Sequence, residues 1–307
     1  MLWSRLLPVL LLLVSSVLCA QTLTWQPQHV EQGSPVLFTL ILDRPATRVT
    51  ATWLGKELGF FPANDRRTWY ALAGTDVEQG PASYPVSISG TYASGGALNT
   101  TQEMQITAAN FHSSTLSVAK AFIAPSPAAQ RQMERDAVAK KRAFASSASQ
   151  PLWSGSFAAP VASRVFDNFG DNRIFNGKKV SIHRGSDFPA RPGTPVHALN
   201  SGRVVLAQRM FLEGNCVIID HGNQLFSIYM HFSRLQVKAG EMVKKGQLLG
   251  LSGATGRVTG PHLHVSMRWS GENLNPAALL AMQLPETSSI GPAAVTVPAK
   301  PIHRKAH

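Results

Sequence analysis

The sequence predicts a mainly β chain: an N-terminal immunoglobulin-like β-sandwich, a helical connector, and a C-terminal antiparallel sheet of half-barrel type. Three observations predict it. Short runs rich in Val, Thr, Ile and aromatics recur between residues 21 and 112, mostly separated by Gly, Pro, Asn or Asp. The stretch SPAAQRQMERDAVAKKRAFA then carries helical spacing. From Trp153 to about Leu280, β-rich segments return with glycine turns. At 307 residues and 44% hydrophobic content, the chain is long enough for two ordinary domains with a sizeable core.

Residues 1–20 read as a secretory signal peptide. Arg5 marks a short basic region, an apolar run follows from Leu6 to Leu18, and Cys19 and Ala20 supply small residues. The run is shorter than the roughly 20 residues a membrane-spanning helix needs. Leu18 before Cys19 does not suit a lipoprotein signal. The expected destination is outside the cytoplasm, in the periplasm or at the cell envelope. Cleavage near Ala20 would leave Cys216 as the remaining cysteine. An intramolecular disulfide and a Cys-built zinc site are then both excluded, so a metal must rely on His and carboxylates.

The net charge is +12. Residues 151–283 hold 14 basic and 7 acidic residues, whereas residues 21–116 hold 5 and 7. The positive field therefore belongs to the connector and the C-terminal domain. Export makes nucleic acid an unsuitable partner, and no aromatic–basic interleaving is present. Lipid headgroups and cell-wall polymers are the polyanions available outside the cytoplasm.

In residues 21–113, TLTW, VLFTLIL, TRVTATWL, TWYALAG and YPVSISGTY are the expected strands. His29 and His112 stand alone there, so this part is expected to bind or place rather than to catalyse. Residues 114–150 form the connector. Its helix should start at Ser126 as N-cap with Pro127 at the first turn. Met133, Ala137, Lys140 or Lys141, and Phe144 follow helical spacing, and Asp136–Lys140 is an i,i+4 pair. Residues 151–283 form the second domain. Residues 284–307, basic and rich in Pro and Ala, are expected to be disordered.

The chemistry concentrates in residues 151–283. HLHVSMRW reads as a strand with His262, His264, Ser266 and Arg268 on one face and Leu263, Val265, Met267 and Trp269 on the other. Both imidazoles then serve one centre, as two ligands or as one ligand and one neighbour. In HRGSDFPARPG the glycines and prolines argue against a helix. A strand ending in a turn would bring Asp187 back beside His183. An imidazole, a carboxylate and one imidazole of the other strand make three ligands and leave a fourth position open, as in catalytic zinc sites. CVIID, HGN and QLFSIYMHF read as a hairpin. Leu225, Ser227, Tyr229 and His231 are expected to share a face, with His231 ending the strand. His197, His221, His303 and His307 read as surface or satisfied core residues.

Taken together, His-x-x-x-Asp, an intervening His and His-x-His resemble the LytM/lysostaphin-type zinc metallopeptidases, peptidase family M23. The likeness runs from about Leu152 to Leu280 and includes FDNFGDNR, GTPVHALNSGRVVLA, the segment from YMHF to HLH, and NLNPAALL. A looser likeness covers the upstream sandwich and connector. The resemblance implies one zinc ion per chain held by His183, Asp187 and His264, with His262 and His231 as the remaining site histidines. It implies hydrolysis of peptidoglycan stem-peptide cross-links by metal-activated water. His262 would act as general base and His231 would steady the developing charge or pass the proton on; the two roles are open to exchange. The alternative is a non-hydrolytic or autoinhibited wall-binding regulator of other hydrolases. Glycine-punctuated GQLLGLSGATG also resembles biotinyl and lipoyl carriers, which lack the histidine cluster; only fold geometry is shared.

Overall fold

The computed structural model describes residues 21–287 apart from 167 and 178. The expected signal peptide, the end of the tail, His303 and His307 lie outside the described residues. The chain is mainly β, as expected. All five runs anticipated in its first part are strands.

Two sheets build that part. One has the order Thr22–Gln26, Pro35–Ile41, Thr68–Gly74, Phe61–Pro62. The other has the order Val30–Glu31, Ala97–Thr107, Ala82–Tyr92, Ala46–Trp53, Lys56–Gly59. Alternation along each strand sends Phe38, Leu40, Val49, Trp53, Val86 and Ile88 inward. The Ala97–Thr107 strand escaped the sequence reading. Its long polar stretch of Asn, Thr, Gln and Glu faces water, and its inward residues are Leu98, Met104 and Ile106.

A nine-stranded sheet forms the second part. Its main path runs Ser186–Phe188, Leu263–Trp269, Leu225–Leu235, Gly214–Asp220, Gly202–Met210, Met242–Val243. One face, with Val217, Ile219, Tyr229, Val265, Met267 and Trp269, belongs to the same apolar core as both N-terminal sheets. Trp53 meets Trp269 at 6.4 Å between ring centroids, and Phe61 meets Trp153 edge-on at 5.6 Å. The other face carries Leu206, Cys216, Ile218, Phe226 and Ile228, covered by Ala143 of the helix.

The helix spans Pro127–Phe144. Ser126 caps it by accepting from the Ala129 N–H, and Pro127 occupies the first turn. The residues read as helically spaced all lie in it; its buried residues are Asp136 and Ala143, and one expectation fails. Asp136 and Lys140 do not pair. Docking on the sheet gives each a tertiary partner instead: Asp136 accepts from the Phe211 N–H at 2.7 Å, and Lys140 pairs with Glu213.

The chain ahead of this helix also joins the second part. Ser113–Leu116 pairs in parallel with Asn172–Phe175, which pairs with Lys179–Ile182. This small sheet becomes one wall of the groove described below.

Candidate metal centre

Three elements bring the predicted ligands together. His183 follows the Lys179–Ile182 strand. Asp187 is the middle residue of Ser186–Phe188 and lies directly opposite His264 in the antiparallel register. His264 sits in the Leu263–Trp269 strand, and Leu263, Val265, Met267 and Trp269 are buried in the core behind it. Alternation therefore turns His264 and Ser266 toward the groove, as the sequence predicts.

The donor atoms converge. His183 Nε2 lies 3.0 Å from His264 Nδ1 and 3.3 Å from Asp187 Oδ1. His264 Nδ1 lies 2.8 Å from Asp187 Oδ1. Tetrahedral zinc with bonds of roughly 2.0–2.1 Å spaces its donors roughly 3.3 Å apart. The triangle needs to open by about half an ångström at most, so these residues fit a divalent metal.

Neighbouring groups set the tautomers. His183 Nδ1 is 2.6 Å from the Asn168 carbonyl, to which it donates, so Nε2 keeps its lone pair for the centre. His264 Nε2 is 2.9 Å from Ser266 Oγ, which frees Nδ1 in the same way. Asp187 Oδ2 accepts from Arg173 at 2.6 Å and from Asn168 Nδ2 at 3.0 Å, which leaves Oδ1 pointing at the imidazoles. Burial opposes the Asp187 charge; without a metal, protons on the His183 and His264 nitrogens that face Oδ1 take its place, and their hydrogen bonds outweigh burial and hold the carboxyl well below the usual range. Burial pushes His264 down to about 4, so its imidazole is neutral, as a ligand must be.

His262 and His231 stand beside this triangle. His262 Nε2 is 3.5 Å from Asp187 Oδ1, and the His231 ring lies 5.0 Å from the His262 ring. His262 Nδ1 donates to the Gly260 carbonyl, and His231 Nδ1 donates to the Thr255 carbonyl, each at 2.8 Å. In the neutral form of each ring, the proton therefore sits on Nδ1 and Nε2 faces the groove as an acceptor. Burial, then the nearby His264 and His262, push His231 down to about 3.

The route by which His231 arrives differs from expectation. It does not end its strand, which continues to Leu235. Tyr229 pairs with Val265 and Met230 pairs with His264, so Met230 shares the groove face and plain alternation would send His231 the other way. A φ of +69° at His231 reverses its direction. Pairing shifts register on both flanks here, between Asn215 and Val217 and between Phe232 and Arg234. Such irregularities re-aim side chains next to active sites.

The groove over these residues has a cavity volume of about 640 Å³. Its lining includes residues that sequence reasoning missed. Ser114, Leu116 and Val118 come from the chain ahead of the helix. Their alternating pattern in SSTLSV was the available signal. Arg173 and Asn168 were noticed only as part of FDNFGDNR, since nothing local in that stretch tells that they reach Asp187. His29, His112 and His197 do not line the groove. His221 is a satisfied core residue, 2.8 Å from both the Ser201 carbonyl and Ser227 Oγ.

Comparison with known proteins agrees with this geometry. Residues 181–276, which contain all five site residues, match the model of peptidase family M23. The chain is 41% identical over 128 residues to the peptidoglycan DD-endopeptidase ShyA of Vibrio cholerae, covering 41% of this chain and 29% of that protein. It is 38% identical over 113 residues to the DD-carboxypeptidase/endopeptidase Mpg of Neisseria meningitidis, covering 37% of this chain and 26% of that protein. The chain thus spans less than a third of the length of these curated relatives. A solved Pseudomonas aeruginosa structure assigned to peptidase M23 superposes with a TM-score of 0.60 at 25% identity, over 81% of this chain and 95% of that one. Through residues 181–276, the chain is similar to peptidase family M23.

Proposed function

We propose that this chain is a zinc-dependent endopeptidase that hydrolyses peptide cross-links of bacterial peptidoglycan at the cell envelope. The observation that carries the proposal is the arrangement of five groove residues. Three offer converging donors within 3.3 Å of one another, and two imidazoles beside them present bare Nε2 atoms. The DD-endopeptidase activity in the names of relatives supports the substrate class.

His183, Asp187 and His264 hold the metal. Bound zinc supplies Lewis acidity, polarising a carbonyl and lowering the pKa of water toward about 7. His262 takes the proton of the attacking water at Nε2; it lies nearest the donor triangle and its tautomer is fixed by Gly260. His231 faces His262; once it takes up a proton at Nε2 it can donate to the negative charge that builds on the scissile carbonyl, or pass that proton toward the leaving amine. Arg173 and Asn168 position Asp187. The groove's arginines and the net charge of +12 suit an anionic wall polymer. Among the described residues no helix is long and apolar enough to cross a membrane.

Digestion of purified peptidoglycan with and without chelator, followed by mass analysis of the fragments, tests the proposal. Loss of cross-linked dimers that chelator abolishes and zinc restores is expected. Undigested dimers in the presence of zinc-loaded protein would overturn it.

A further inference from the structure

Among the described residues, each acidic group of the groove already has a partner. Asp187 is paired with Arg173, and Glu213 with Lys140. Asp171 accepts from the His112 N–H. Of the groove's cations, Arg173 is taken by Asp187, and Arg184 by Glu78 and Asp76. Arg257 is different. It lines the groove, is half-buried, and its guanidinium has neither a carboxylate nor a hydrogen-bond acceptor among the described residues. Its one side-chain contact of note is the face of Phe175, with the guanidinium carbon 4.7 Å from the ring centroid.

The placement is fixed from both sides. The Arg257 N–H donates to the Leu212 carbonyl at 2.8 Å. Gly256 packs so tightly that an added Cβ would lie 2.4 Å from Gly214 N. The same loop supplies the carbonyls of Thr255 and Gly260 that set the tautomers of His231 and His262. Arg257 therefore stands on the loop that organises the two histidines, with its planar cation held against an aromatic ring. Burial lowers its pKa; Glu213 opposes this and Arg173 adds to it. A half-buried guanidinium with another cation nearby and no anion paired with it among the described residues suits an anion from outside. Arginine's planar fork matches a carboxylate in two-point hydrogen bonding.

We infer that Arg257, oriented by Phe175, forms a carboxylate-binding subsite that takes the free carboxylate of a residue flanking the scissile bond of a peptide substrate. The inference deepens the endopeptidase reading and rests on it for the word substrate, though binding alone can be read without turnover.

The test uses two cross-linked peptide dimers, identical except that the carboxylate beside the scissile bond is free in one and a carboxamide in the other. Steady-state kcat and KM are measured for the full zinc-loaded chain, for Arg257→Gln and for Arg257→Lys. The unmodified chain should favour the carboxylate dimer by about tenfold or more in kcat/KM, the scale of one charge-assisted contact. In Arg257→Gln that ratio should fall to near one, and in Arg257→Lys to an intermediate value, because lysine keeps the charge but loses the fork and the stacking. A ratio near one in the unmodified chain, or an unaltered ratio in Arg257→Gln, would overturn the inference. Equilibrium binding of the same dimers to the chelator-treated chain separates it from the parent reading. A carboxylate preference that Arg257→Gln removes, without cleavage of either dimer by zinc-loaded protein, sinks the hydrolase and leaves the subsite standing. Equal affinities for the two dimers sink the subsite.

Discussion

Asp187 and His264 face each other across two antiparallel strands, with Oδ1 and Nδ1 2.8 Å apart. Strand register sets this contact, and Gly185 makes room for it. A Cβ at Gly185 would lie 2.5 Å from His264 Nε2 and 2.5 Å from the Val265 carbonyl. His264 can occupy its position only beside a residue without a side chain.

Gly185→Ala should therefore push His264 out of line and weaken zinc binding by at least about tenfold, the scale seen when ligand-orienting contacts are lost. Competition against a chromophoric chelator reads the affinity. Unchanged affinity would show that the ring has slack the geometry does not reveal.

Arg173→Gln removes the 2.6 Å donor from Asp187 Oδ2 and leaves Asn168 as the remaining side-chain donor to that oxygen. Zinc affinity should drop by about 10- to 100-fold while the folded structure persists. Circular dichroism alongside the chelator competition distinguishes this from unfolding. Full affinity in a folded variant would remove Arg173 from the positioning role.

His221 predicts part of the acid sensitivity. Complete burial pushes its pKa from 6.5 down to about 4, against the hydrogen bond to Ser201. The unfolded chain takes up a proton near 6.5 and the folded chain resists until about 4. Its contribution to stability is thus fully present above about 6.5 and is lost as pH falls toward about 4. The interval corresponds to about 3 kcal/mol. His221→Gln should be less stable at neutral pH yet show a flatter decline in urea midpoint over this window. Parallel pH curves for the two proteins would contradict the assignment.

The two parts of the chain share one core, so they should unfold together. Trp269 is fully buried between the C-terminal sheet and Trp53. Trp269→Ala should cost about 3–5 kcal/mol and lower one common transition. Calorimetry resolving two transitions, one of them unshifted, would refute a shared core. For the same reason, deleting residues 21–150 would strip the helix from Phe211 and Glu213 and uncover Trp153 and Trp269. Such a truncation reports on stability before it reports on regulation.

What the sequence revealed follows a physical division. Period-2 alternation made the HLHVSMRW face legible, because a strand with a buried back leaves its front residues no other direction. Gly185 and the prolines around Asp187 likewise excluded a helix. The route to His231 was hidden, since a left-handed φ at a non-glycine residue leaves no mark in a local pattern. The partners of Asp136, Lys140 and Arg173 were hidden for another reason: each is set by tertiary docking, 14 to 75 positions away. The Ala97–Thr107 strand was obscured by its water-facing polar residues.

The central claim is a division of labour: His183, Asp187 and His264 hold zinc, while His262 moves the proton. Zinc content and dimer cleavage, measured on the same samples of the unmodified chain, His262→Ala and Asp187→Ala, test it most directly. His262→Ala should retain about one zinc per chain and lose roughly 10²–10⁴-fold in cleavage rate. Asp187→Ala should lose both. A His262→Ala protein that cleaves at a near-normal rate, or that sheds its zinc as Asp187→Ala does, would contradict the account.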